Sequence, residues 1–234
     1  MAEQQIATVK KEKKYSILFK KNRKGRPVSR LLNFLRILVV PFYFLLKPFR
    51  FYGNRKAPDG ACVYVGNHYT LFDIAYIACT TWEGIHFLSK KENMSAPLLG
   101  SLCRAVKTIS VNRDGNDVRA LLDCFKCLKN GEKISVYPEG TRNKTDVEML
   151  PFKHGAAIMA IKAKVPVVPV MLYSKPRFFR MTHVLVGEPV DLSEFYDKKL
   201  TDEEVSKADE KLRETLLNLR REHKAFLDSK KKKK

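Results

Sequence analysis

The run Ala61-Cys62-Val63-Tyr64-Val65-Gly66-Asn67-His68-Tyr69-Thr70-Leu71-Phe72-Asp73 decides the fold. Its first five residues are apolar and β-prone, which reads as a buried strand. The chain then turns through Gly66 into a helical stretch over Asp73–Thr80. A strand that runs straight into a helix is the unit of an α/β sheet. The turn signal Pro58-Asp59-Gly60 precedes it. The alternation continues downstream. Strands are predicted at Ile85–Leu88, Thr108–Val111, Lys133–Tyr137, Val165–Leu172 and Val184–Val186. Helices are predicted at 96–105, Asp117–Leu128, Gly155–Ala163 and Asp202–Ser229. Pro166 and Pro169 predict that the Val165–Leu172 strand lies at an edge or is irregular. The fold class expected is α/β, with a central, mostly parallel or mixed sheet flanked by helices.

Upstream of the turn lies a different kind of segment. Residues 31–46 read LLNFLRILVVPFYFLL, too short and too interrupted for a span that needs about 20 apolar residues. Asn33, Arg36, Val40, Tyr43 and Lys47 recur at helical spacing, so a helix here gathers its polar groups on one stripe and leaves the other faces apolar. Pro41 predicts a bend near Ile37. These features fit an interfacial or re-entrant membrane anchor, with Lys47 and Arg50 at headgroup level. A buried core helix and a single span are the alternatives.

The 234 residues carry a formal charge of +20, with 44% hydrophobic content, enough for one well-packed domain. The charge is concentrated at the ends. Residues 1–30 contribute +8 and Lys230 to Lys234 a further +5, leaving +7 on 31–229. Basic arms attract polyanions, including an anionic lipid surface. A nucleic-acid binder would interleave bases with aromatics over its body. Here they are segregated, so no nucleic acid is expected. No cleavable signal peptide is expected, because the first thirty residues lack an apolar core. Five scattered cysteines do not form a disulfide framework and read as reduced thiols in a cytosol-like compartment.

Three stretches carry chemistry, each at the end of a predicted strand, where open α/β sheets place their sites. In Asn67–Asp73, His68 and Asp73 are five apart and would diverge on a regular helix. With His68 in the turn and Asp73 in the first helical turn, the carboxylate can fold back, fix the imidazole tautomer and leave the other nitrogen as a base. Asn67 is placed to cap the helix, whose positive end would help keep the imidazole neutral. The alternative is a loop histidine beside a first-turn charge. In Tyr137-Pro138-Glu139-Gly140-Thr141-Arg142-Asn143, a turn presents Glu139 and Arg142 together, suited to a phosphate or to a plain ion pair. In Val111-Asn112-Arg113-Asp114-Gly115, Arg113 offers a second clamp, and Lys90, Lys91 and Lys153 can add charge. No metal is expected: the histidines are dispersed, and Cys124-x-x-Cys127 reads as core thiols. No G-x-S-x-G is present, so a serine acyl-enzyme is not indicated.

Four ordered blocks, Asn67–Asp73, Val111–Arg113, Tyr137–Arg142 and Val165–Val170, resemble the PlsC-type glycerolipid acyltransferases. The resemblance covers roughly residues 60–175. Ser110 and Lys107 depart from the family pattern. It implies that His68 is the general base and Asp73 its orienting partner. It further implies that Arg113, Glu139, Gly140, Arg142 and Lys91 bind the acceptor. The implied reaction is acyl transfer from a thioester to the 2-hydroxyl of lysophosphatidic acid, making phosphatidic acid. Glycerol-3-phosphate or another lysophospholipid is the alternative acceptor. No cofactor is implied beyond the co-substrate, acyl-coenzyme A or acyl-acyl-carrier protein. The implied location is the cytoplasmic face of a cell membrane, against an anionic surface. The organisation expected is a flexible basic arm over 1–30, a membrane-associated helical segment over 31–52, an acyltransferase domain over 53–229 and a lysine tail over 230–234.

Overall fold

A computed structural model describes residues 19–21, 27–112 and 117–232. Two short strands, β1 (Phe19–Lys21) and β2 (Pro27–Ser29), pair antiparallel within the arm expected to be flexible. The rest of the arm, 1–18 and 22–26, lies outside the described residues.

Helix α1 (Arg30–Leu46) starts where the Ser29 side chain accepts the Leu32 N–H at 3.1 Å. It runs on through Pro41 as one helix. After it the chain departs from the expected helical segment: Phe49–Gly53 is a strand, β3, not a continuation of the anchor. Next come β4 (Cys62–Gly66), α2 (Asp73–Ala78), β5 (Ile85–Lys90), α3 (Lys91–Ser95), α4 (Pro97–Ala105) and β6 (Ile109–Val111). They are followed by α5 (Val118–Lys129), β7 (Lys133–Val136), α6 (Gly155–Ala163), β8 (Val167–Leu172), β9 (Thr182–Val186) and α7 (Asp202–Lys232). Helix α7 takes Lys230 to Lys232 out of the expected tail.

Seven strands form one sheet in the order β3-β9-β8-β4-β7-β5-β6. All neighbours are parallel except β8 and β9, so the sheet is mixed with a parallel centre. Strand β4 is at the middle and buried throughout. Its alternating side chains feed both layers: Val63 and Val65 join α5, α6 and α7 in one core, while Cys62 and Tyr64 join α1 and α2 in the other. Strand β8 corrects the expectation of an edge, since it lies between β9 and β4. Pro169 is tolerated there because the β9 ladder begins one residue later, at Val170, while its carbonyl accepts the Gly187 N–H at 3.0 Å.

The polar stripe of α1 faces the protein, not water. The Arg36 guanidinium is buried and donates to the carbonyls of Ala78 at 2.6 Å and Glu83 at 3.1 Å, and to Asn33. Burial lowers its pKa to about 10. Tyr43 donates to the Tyr76 hydroxyl at 3.0 Å. Lys47 is buried against Phe72 and Phe178, not placed at an outer rim with Arg50. Phe34, Ile37, Leu38, Phe42 and Leu45 therefore point outward, between 58% and 70% exposed.

Candidate active site

The parallel strands β4, β7 and β5 all end on one edge of the sheet. His68 follows β4, Glu139 to Arg142 follow the neighbouring β7, and Lys91 follows β5. Adjacent strands are about 4.8 Å apart, so these turns lie side by side along one edge.

His68 and Asp73 meet. His68 Nδ1 lies 3.0 Å from Asp73 Oδ2. The same Oδ2 accepts the Tyr69 and Thr70 amides at 2.6 and 2.7 Å, and Oδ1 accepts the Thr70 hydroxyl at 2.6 Å. Asp73 is 1% exposed and acts as an acceptor on every side. Nδ1 must therefore carry the proton, which leaves the Nε2 lone pair as a base. The Tyr137 ring stacks on the imidazole at 4.2 Å and 12°, fixing its plane. Because Tyr69 and Thr70 spend their amides on Asp73, the helix start is a clamp for the carboxylate. The role of Thr70 is not evident from the motif alone, although its position three residues before Asp73 is a capping-type spacing.

Asn67 does not cap α2. Its amide donates to the Leu172 carbonyl at 3.0 Å and its carbonyl accepts the Leu172 N–H at 2.8 Å, tying the end of β4 to β8.

Glu139 takes a different position from the one expected of a ligand-facing group. It is buried, with Oε1 accepting the His68 N–H and Oε2 the Leu150 N–H, both at 2.9 Å. Burial raises its pKa against the pull of those amides. The Asn143 N–H donates back to the His68 carbonyl at 2.6 Å. The β7 turn thus grips the main chain of the histidine on both sides.

Gly140 adopts φ +66°, and a Cβ there would stand 2.7 Å from Lys153 Cδ. Lys153 lies directly over the turn, its amide donating to the Pro138 carbonyl at 2.8 Å. Arg142 is exposed and makes no ion pair among the described residues. Lys91 is exposed at the first position of α3. Arg113 lies outside the described residues. Burial raises the Tyr69 phenol, opposed by Arg220 of α7, which reaches this edge and also pairs with Glu148 at 3.4 Å. No single contact in the sequence would have brought Arg220 here from the far end of the chain.

The arrangement is that of an oriented imidazole beside exposed cationic side chains, a geometry suited to taking a proton from a hydroxyl held next to an anion. The profile of the Acyltransferase family matches residues 48–173, which span all of these turns. The chain belongs to that family. It is 37% identical over 123 residues to a chloroplastic 1-acyl-sn-glycerol-3-phosphate acyltransferase of Brassica napus, covering 51% of this chain and 35% of that one. It is 32% identical over 122 residues to the 1-acyl-sn-glycerol-3-phosphate acyltransferase of Helicobacter pylori, covering 51% and 52%. The chain thus spans about a third to a half of the length of these curated relatives. The crystal structure of the 1-acyl-sn-glycerophosphate (LPA) acyltransferase PlsC from Thermotoga maritima superposes with a TM-score of 0.65 at 27% identity, covering 84% of this chain and 79% of that one.

Proposed function

We propose that the protein transfers a fatty acyl group from a thioester to the free 2-hydroxyl of 1-acyl-sn-glycerol-3-phosphate, yielding phosphatidic acid. The observation that carries this reading is the His68–Asp73 pair at 3.0 Å, with the carboxylate held by two amides and a hydroxyl. The names of the relatives supply the reaction class.

In this reading, Nε2 of His68 removes the proton of the acceptor hydroxyl as its oxygen attacks the thioester carbonyl. Asp73 stabilises the imidazolium that results. The tetrahedral intermediate collapses by breaking the carbon–sulfur bond, and the imidazolium returns its proton to the departing thiolate. Such acid–base assistance contributes roughly 10²–10⁴-fold. No protein nucleophile takes part. Arg142, Lys91 and Lys153 form the cationic rim for the acceptor phosphate, the family resemblance assigns Arg113 to the same group, and the Gly140 turn lets the chain approach it. Glu139 acts as a brace under His68 instead of a ligand. The donor is acyl-coenzyme A or acyl-acyl-carrier protein, both used as co-substrates.

The substrate lives in a bilayer, and the outward face of α1 suits one. Phe34, Ile37, Leu38, Phe42 and Leu45 are continuous with Phe178 and Phe179, because Phe179 N–H donates to the Leu46 carbonyl at 2.8 Å. Among the described residues no helix is long and apolar enough to cross a membrane. A helix lying in the interface, apolar face down, meets both facts. A seat on the cytoplasmic face of the membrane, beside anionic lipid that attracts the basic ends, completes the proposal.

The test offers purified protein in lipid vesicles a mixture of donors and acceptors and identifies the products by mass spectrometry. Phosphatidic acid is the expected dominant product. Acylation of glycerol-3-phosphate or of a lysophospholipid in its place would reassign the acceptor.

A further inference from the structure

A second cluster of reactive side chains lies at the opposite end of the sheet. His86 is the second residue of β5, Glu132 immediately precedes β7, and Cys127 is on the last turn of α5. This edge holds the amino-terminal ends of the parallel strands, whereas His68 and Glu139 follow their carboxyl-terminal ends.

The three groups converge. One imidazole nitrogen of His86, the Cys127 sulfur and a Glu132 oxygen all lie within 4.8 Å of one another. His86 is 3% exposed, with Nδ1 2.9 Å from the Lys107 carbonyl and Nε2 2.9 Å from Glu132 Oε2. A carbonyl can only accept, so Nδ1 carries a proton, and Nε2 faces the carboxylate and the thiol. That is the arrangement in which a protein orients a metal-binding histidine: one ring N–H anchored on a main-chain carbonyl, the other nitrogen aimed at the ion. Lys107 holds this carbonyl in place with φ 55°, a left-handed conformation that a lysine seldom adopts. Cys127 and Glu132 are only partly buried, which gives an ion a route from solvent.

A positive species is needed where Nε2 and the carboxylate meet. A proton can fill this need, and so can a metal ion. Around a tetrahedral zinc ion, bonds of about 2.0–2.3 Å to N, O and S set neighbouring ligand atoms roughly 3.3–3.6 Å apart, so the nitrogen–oxygen contact of 2.9 Å opens slightly and the sulfur, within 4.8 Å of both, closes on the ion. Nitrogen, sulfur and oxygen together are the donor set of zinc and of its neighbour cobalt.

We propose that His86, Cys127 and Glu132 form a site for one Zn²⁺, with a fourth position left to water, that clasps β5, α5 and the turn before β7. Binding forms Zn–N, Zn–S and Zn–O bonds and releases to solvent the thiol proton and any proton on Nε2. The site is separate from the acyl-transfer edge, so its role is to hold the fold.

The experiment uses the full chain and the metals alone. The metal-stripped protein is titrated with Co²⁺ and followed in the near ultraviolet, then with Zn²⁺ against a chromogenic chelator. One equivalent of Co²⁺ should give a thiolate charge-transfer band that one equivalent of Zn²⁺ removes. Zn²⁺ should also raise the melting temperature. Cys127→Ser, at a partly exposed position that tolerates the change, should abolish the band and weaken Zn²⁺ binding by more than about 100-fold. Glu132→Gln should weaken it while keeping the band, and Cys79→Ser should leave both unchanged. If wild type gives no thiolate band, or Cys127→Ser binds Zn²⁺ as wild type does, the group is a proton-bridged pair and the proposal is wrong.

Discussion

Glu139 accepts the main-chain N–H of His68 at 2.9 Å from a residue 71 positions away in the chain. Its other oxygen takes the Leu150 N–H at the same distance. One buried carboxylate thus fixes the backbone of the base and the loop that follows Arg142. Glu139→Gln must turn an NH₂ toward one of those two donors. Losing a buried, charge-assisted hydrogen bond costs about 1.5–3 kcal/mol, so kcat should fall roughly 10- to 100-fold. The acceptor KM should change little. Steady-state kinetics on folded variant protein measure both.

Arg142 should behave in the opposite way. It is exposed and touches the acceptor rather than the base in the proposed reading. Arg142→Ala should raise the acceptor KM about tenfold or more while kcat is largely kept, because what is lost is ground-state binding of the phosphate. Equal falls in kcat with unchanged KM would place Arg142 elsewhere in the mechanism.

The outward face of α1 should govern membrane affinity. Leu38 and Phe42 are 62% and 65% exposed. Burying each such side chain in lipid contributes about 1.5–3 kcal/mol, so Leu38→Glu with Phe42→Glu should weaken vesicle binding by roughly 100-fold or more. Activity on detergent-dispersed acceptor should persist. Vesicle sedimentation together with a detergent assay separates the two effects.

Asp209 of α7 should make stability depend on pH. Burial raises its pKa from 3.8 to about 6, against the pull of His154, whose Nδ1 lies 2.9 Å away. The folded state holds this proton more tightly than the unfolded chain. The stabilisation is complete below the unfolded pKa and is lost as pH rises through about 6. Melting curves from pH 4 to 7 should show wild type losing stability relative to Asp209→Asn across that window. A constant difference between the two proteins would contradict the assignment.

What could be read in the chain was local. His68 and Asp73 are five residues apart, so one turn brings them together, and spacing alone suggested the fold-back. The strand–helix alternation likewise predicts the sheet, because β4 is apolar on both faces. The misreadings involve long-range partners. Asn67 has the chemistry of a cap, but its partner is Leu172, 105 residues on. Glu139 resembles a ligand-facing acid in a turn until the amides of His68 and Leu150 are brought to it. Phe49–Gly53 continues the aromatic character of the preceding helix, and only the parallel register with β9 makes it a strand. Pro169 argues against an interior position, and the neighbouring ladder shows why it is allowed. Cys124 and Cys127 both pack in the core as their helical spacing predicts, while the meeting of Cys127 with His86 and Glu132 depends on contacts no spacing reveals.

The central claim is that Nε2 of His68 is the base. Product formation by His68→Ala, measured by mass spectrometry beside wild type and with circular dichroism to confirm the retained fold, tests it most directly. Turnover should fall at least about 10²-fold, the usual contribution of a positioned general base. Phosphatidic acid made by the folded variant at the wild-type rate would contradict it.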